Sequence, residues 1–102
     1  MAIQNTKLTT TAQQIVDPTG ERAVTAIYFY NSNTTTVELT VHAVVSGGSA
    51  SNDNKIYGNL AIGPSNTYIV DTEKLILNNG DSLYALANVA NVVIATASYT
   101  VI

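Results

Sequence analysis

The sequence predicts an all-β fold, an antiparallel β-sandwich of jelly-roll or Ig-like topology with about seven strands and no substantial helix. Three observations predict it. Apolar and polar residues alternate with a period of two, most clearly in TVELTVHAVV (36–45). Clusters of Gly, Pro, Asn, Asp and Ser interrupt the chain at roughly 8–12-residue spacing, the rhythm of a sandwich or barrel. No segment repeats its apolar residues at a helical period, and no internal repeat is visible. The chain has 102 residues, which sets the expectation of one domain, 1–102.

In chain order, IQNTKLTTTAQQIV (3–16) predicts a first strand near Lys7–Val16, with Leu8 and Ile15 as inward anchors. DPTGE (17–21) is turn chemistry, Pro18 presetting its own φ and Gly20 permitting a positive one. The stretch ERAVTAIYFYNSNTTTVELTVHAVV (21–45) follows, two apolar runs around the polar break NSNTT, and predicts a β-hairpin. In its second run Val37, Leu39, Val41, Ala43 and Val45 form the core face. Its first run has almost no polar face: Val24, Ala26, Tyr28 and Tyr30 lie on one side, Ile27 and Phe29 on the other. Such a strand is expected to be covered on both sides, by the fold or by a partner.

SGGSASNDN (46–54) is the longest irregular stretch and is expected to be a mobile loop. KIYGNLAI (55–62) reads as a short strand whose Gly58 suggests a bulge or a close backbone approach. After the turn GPSN (63–66), TYIVDTEKLILN (67–78) alternates weakly, and a short helix over Asp71–Leu77 competes with the strand there. NNGD (78–81) predicts a hairpin turn, and SLYALANV and NVVIATASYTVI close the chain as two strands.

Few residues here suit chemistry. His42 is the only histidine and falls on the polar side of its strand beside Glu38 and Thr40, a solvent-facing or interface position rather than that of a catalytic base. Asp71 and Glu73, two apart, would share one face of a strand and read as an exposed edge pair. Asn52, Asp53 and Asn54 offer oxygen ligands, but one carboxylate among amides would hold calcium weakly. SGGS (46–49) lacks the lysine and following helix of a phosphate cradle. The expectation is no enzyme, no cofactor and no metal.

Composition points toward surfaces instead. Charged residues make up 11% of the chain, against a usual share of about 25%. The polar positions are filled by Thr, Ser and Asn, which suits a protein packed into an assembly more than a free monomer. The four cations, Lys7, Arg22, Lys55 and Lys74, are scattered, and the net charge is −3, so nucleic-acid binding is not expected. Without cysteine there is no disulfide framework. MAIQNTKLTTT lacks the pattern of a signal peptide, and no apolar run reaches the roughly 18–20 residues that span a bilayer. A chain made in the cytoplasm, with no membrane partner, is the expectation.

Tyrosine is enriched, with six against one phenylalanine, and tyrosine favours interfaces because a large apolar ring carries a hydroxyl that can stay hydrated. By alternation, Val24, Tyr28, Tyr30, Tyr84, Leu86 and Ile94 fall on the side away from the core and form the candidate interface. The alternative is that both sides are core layers of the sandwich.

AIYFYN (26–31), TVELTVHAVVSGG (36–48), KIYGNLAIGPSNTYIVD (55–71) and LNNGDSLYALA (77–87) together resemble small β-sandwich virion proteins of tailed bacteriophages, over about residues 6–101. The shared features are a strand ending in Asn, an alternating strand, a Gly-rich loop and an L-x-x-G-D-x-L corner before the last strands. Tyr84 and Leu86 depart from the polar outward residues expected after that corner. The resemblance implies an accessory structural protein of the virion, a capsid decoration or cement protein or a tail or neck component. It further implies contacts to the major capsid protein or other virion proteins and a homo-oligomer, often a trimer. A carbohydrate-binding β-sandwich module is the reading from a different class, its tyrosines stacking on sugar rings.

Overall fold

The computed structural model describes residues 2–17, 19–71 and 75–102. Nine strands form two antiparallel sheets: β1 (Ala2–Lys7), β2 (Gln13–Val16), β3 (Arg22–Asn31), β4 (Val37–Val44), β5 (Lys55–Ile62), β6 (Thr67–Val70), β7 (Leu75–Leu77), β8 (Ser82–Ala87) and β9 (Val93–Val101). The first sheet has the order β1-β9-β3-β6, with β7 also pairing β3, and the second has the order β2-β8-β4-β5. β6 pairs with Ile27–Tyr30 and β7 with Arg22–Val24, so the two are halves of one edge strand. Counted that way the chain has eight strands. The chain changes sheet at every step except β4 to β5, which stay side by side. This is jelly-roll order, one of the two topologies the sequence leaves open.

The seven expected strands become nine for two reasons. The first strand, expected near Lys7–Val16, is instead two, β1 ending at Lys7 and β2 beginning at Gln13, and the chain changes sheets between them. Leu8 N donates to Val93 O (2.9 Å) in the first sheet, and one residue later Thr9 O accepts from Ala87 N (3.0 Å) in the second. Leu8 and Ile15 are both fully buried, as anchors on either side of that step should be. The second split divides 67–78 into β6 and β7. Of the competing helix at Asp71–Leu77, residues 75–77 are strand, and 72–74 lie outside the described residues, as do Pro18 and the Glu73 partner of Asp71.

The predicted hairpin over 21–45 is not one. β3 and β4 lie in different sheets, and NSNTT carries the chain over the end of the sandwich. Asn31 builds that crossing from the inside. It is fully buried, its Nδ2 donates to the carbonyls of Thr35 (3.0 Å), Ile62 (3.0 Å) and Gly63 (3.2 Å), and its Oδ1 accepts from Asn33 N (2.9 Å). A side chain that satisfies three carbonyls of two loops replaces the ladder bonds that a hairpin would have made. NNGD is likewise a crossover, from β7 to β8. Asp81 holds it, its carboxylate accepting from Ser46 N (2.9 Å) and Asn78 N (3.1 Å).

The core is the space between the sheets. Val37, Leu39 and Val41 of β4, Leu83, Ala85 and Ala87 of β8, and Val93, Ala95 and Ala97 of β9 point into it, as their period-two patterns require. Val45, read as the next inward residue, lies past the end of β4 and is exposed. In β3 the alternation is broken. Val24 pairs with Tyr99 and Ala26 with Ser98, so Thr25 is an extra residue, a β-bulge, with its Oγ1 bonded to Ser98 O (3.0 Å). Arg22 and Val24 face inward before the bulge, and Ile27, Phe29 and Asn31 do so after it. Val24 is therefore a core residue, 3% exposed, and not part of an outward face.

Candidate interaction surface

Register defines the outer face of the first sheet. Tyr30 stands opposite Ile94 on one side and Thr67 on the other; Tyr28 stands opposite Thr96 and Ile69. On β1, Lys7 pairs with Ile94, Asn5 with Thr96 and Ile3 with Ser98. Beyond the bulge Ala23 faces Thr100 and Ile76. Cross-strand partners share a face, so these residues make one flat surface four strands wide.

That face mixes large apolar side chains with Thr, Ser and Asn, and the strands that build it carry no acid. Among the described residues, five of the eleven exposed large apolar side chains lie on this face, Ile3, Tyr28, Tyr30, Ile69 and Ile76, while Tyr68 and Val101 of the same sheet stand opposite the inward-facing Phe29 and Arg22. Only Ile56 belongs to the second sheet. Tyr28 and Tyr30, two apart on a central strand, are 41% and 42% exposed. No strand of the first sheet contains Asp or Glu, although the chain carries seven such residues. Of its two cations Arg22 points inward, which leaves Lys7 at the corner of β1.

The apolar surface continues round the β6–β7 edge. Tyr68 of β6 meets Tyr57 of β5 edge to face, ring centroids 6.5 Å apart at 72°, a favoured aromatic geometry that bridges the two sheets. Beside this pair an apolar groove of about 260 Å³ opens between the sheets, lined by Ile56, Tyr57, Val70 and Leu75.

Of the six residues predicted to share an interface, three come together here: Tyr28, Tyr30 and Ile94. Val24 is in the core. Tyr84 and Leu86 do point away from the core, but from the second sheet, on the opposite side of the molecule. Both are half-buried, and the Tyr84 hydroxyl accepts from Gln14 Nε2 (3.0 Å) on the neighbouring strand. Missed altogether were Ile69 and Ile76, on strands of four and three residues too short for alternation to declare itself, and Ile3, on a strand that precedes the one expected near Lys7–Val16.

One part of the second sheet's outer side, around His42, is covered. His42 was expected at a solvent-facing or interface position; it does lie on the outer side of β4 but is only 4% exposed. The loop 46–54 folds over it. Ser51 caps a 3₁₀ turn at Asn52–Asn54, Asn54 Nδ2 donates to Ser49 O (2.8 Å), and Asn54 Oδ1 accepts from Ser51 N (3.0 Å). The same oxygen lies 2.8 Å from His42 Nδ1. An amide oxygen can only accept, so Nδ1 carries a proton and donates. The loop read as mobile is thus tied to itself and to the sheet. Among the described residues no three His, Cys, Asp or Glu side chains group as they would to hold a metal.

Compared with known proteins, the chain matches no family model, no curated protein and no solved structure.

Proposed function

We propose that this chain is a structural virion protein of a tailed bacteriophage, a capsid decoration or cement protein that binds the assembled capsid and stabilises it. The observation that carries this reading is the one-sided surface: a tyrosine- and isoleucine-bearing sheet face whose strands hold no acid, continued by an apolar edge groove. Single exposed apolar residues are ordinary, but a contiguous set on one side of a small domain marks a contact surface. The sparse charge and the resemblance in strand and corner motifs support the same reading. A protein of this kind works by mass action, adding its binding free energy to the folded lattice and none to the opened one. The reading assigns no catalytic residue.

Quantitative mass spectrometry and cryo-electron microscopy of purified virions test it. Many copies on capsid lattice positions are expected. One to a few copies per particle would move the protein to the tail or neck, and absence from particles would end the virion reading.

A second reading has one observation of its own. Tyr28 and Tyr30 lie side by side with the hydroxyl-bearing Thr67 and Thr96 across from them, a mixture of rings and donors suited to a neutral glycan. A glycan array that shows binding lost in Tyr28→Ala would favour it; an array without binding would remove it.

A further inference from the structure

We infer that the outer face of the first sheet is a self-association surface, on which a second copy of this chain packs face to face to give a two-fold homodimer. The inference concerns the isolated chain and claims the face on which the virion reading rests, so on a capsid either the dimer opens or the edge groove makes the contact.

Charge selects the occupant. The protein carries a net charge of −3, so two copies repel each other in general, and a self-contact is favoured where no carboxylates are brought together. Of the described carboxylates, Glu38 is on the second sheet and Asp17, Asp53 and Asp81 are in turns and loops, while Glu21 and Asp71 adjoin the ends of β3 and β6 at the rim of this face. Among the described residues the strands of the first sheet carry none, and their one outward cation, Lys7, stands at a corner and not at the centre. An acidic or basic partner would find almost nothing there to pair with. A copy of the same neutral face matches it.

Area agrees. Four strands about 4.8 Å apart and four outward rows about 6.7 Å apart give a flat face of roughly 500 Å² in projection. Protruding rings and isoleucines add to that projection, against the roughly 800 Å² that each partner buries in a standard stable interface. Tyr28 and Tyr30 sit at its middle, where rigid aromatic anchors count most. A face that meets itself closes with two copies and leaves no further face open. The edge groove at Ile56, Tyr57, Val70 and Leu75 remains outside the contact and accessible.

Sedimentation velocity and equilibrium of the purified chain across the micromolar range test this. The expected species has twice the 10.8 kDa of the chain. Tyr28→Glu places an acid against its own copy and should raise the dissociation constant at least about tenfold, with circular dichroism and the melting curve unchanged. Ile69→Glu, on the edge strand opposite Tyr28, is the second variant and carries the same expectation should Tyr28→Glu disturb β3. Tyr84→Ser, on the other sheet, should leave the dimer intact. A wild-type monomer or trimer overturns the inference, and so does a dimer that survives both acid variants. A chain that is monomeric alone yet abundant on virions overturns this contact and leaves the virion reading standing; a dimer missing from virions does the reverse.

Discussion

Asn31 shows how much one buried amide can hold. Asn31→Ala would strand the Thr35, Ile62 and Gly63 carbonyls, which its Nδ2 now serves, and release Asn33 N. The expected loss is about 2–4 kcal/mol, read from a urea melt, because buried acceptors left unpaired retain their full desolvation cost. A variant within ~0.5 kcal/mol of wild type would mean that water replaces the amide. Val41 is 1% exposed between the sheets, so Val41→Asp buries an unpaired carboxylate; the loss of several kcal/mol should leave no soluble folded protein in an expression and circular-dichroism assay. Arg22 is the opposite case. It is 1% exposed, donates from Nε to Gly20 O (3.1 Å) and from Nη2 to Asp81 O (2.9 Å), and its Nη1 has no partner among the described residues. A buried guanidinium whose acceptors are turn carbonyls is poorly compensated, and those turns are half-exposed, so water can take over. Arg22→Met should therefore stay within about 1 kcal/mol of wild type. A much larger loss would show that the guanidinium is an indispensable clasp between the two turns.

At the scale of elements, two glycines separate conformational need from habit. Gly80 has φ +95° in the β7–β8 crossover, and a Cβ there would stand 2.4 Å from Ser46 Oγ and 2.8 Å from its Cβ. Gly80→Ala should cost about 2 kcal/mol or more in thermal denaturation, from strain and collision together. Gly58, expected to mark a bulge or a close approach, sits at a register break between Tyr57 and Leu60, yet a Cβ would meet nothing within 4 Å and its φ is not positive. Gly58→Ala should be neutral or slightly stabilising. The same scale decides what the sequence could reveal. Alternation in β4, β8 and β9 is local and was legible, and with it the fold class, most of the core and the outward set Tyr28, Tyr30 and Ile94. The Thr25 bulge leaves no mark in composition, which is why Val24 was placed on the wrong face. A five-residue polar break serves a hairpin or a crossover equally well, so NSNTT could not say which sheet β4 would join. Without sheet membership, Tyr84 and Leu86 could be read as outward but not as belonging to the opposite side. His42 escaped for another reason: its cover comes from a loop whose fold depends on the Asn54 bonds and not on any period.

For the whole molecule, the jelly-roll order makes the last strand a condition for the rest. β9 lies between β1 and β3, with Ala2 opposite Tyr99 at one border and Asn31 opposite Val93 at the other. Its inner residues Val93, Ala95 and Ala97 are fully buried. Even the first sheet change leans on it, through the bond from Leu8 N to Val93 O. A chain ending at residue 92 would therefore leave β1 without a ladder partner, open β3 along one edge and empty part of the core. Sheet two offers no refuge, because its inner side chains then face only β3 with β6 and β7, an opposing layer too narrow to cover them. The truncated chain is expected to be wholly digested in limited proteolysis and to show no cooperative melt, whereas the full chain resists as one unit. A resistant fragment spanning β2 to β8 would show instead that the second sheet folds on its own. Because distant strands must find each other before any is stabilised, refolding of the full chain is expected on the millisecond-to-second scale of high-contact-order β proteins, measurable by stopped-flow tyrosine fluorescence. Microsecond refolding would mean that local pairs, such as β4 with β5, are stable before the sandwich closes.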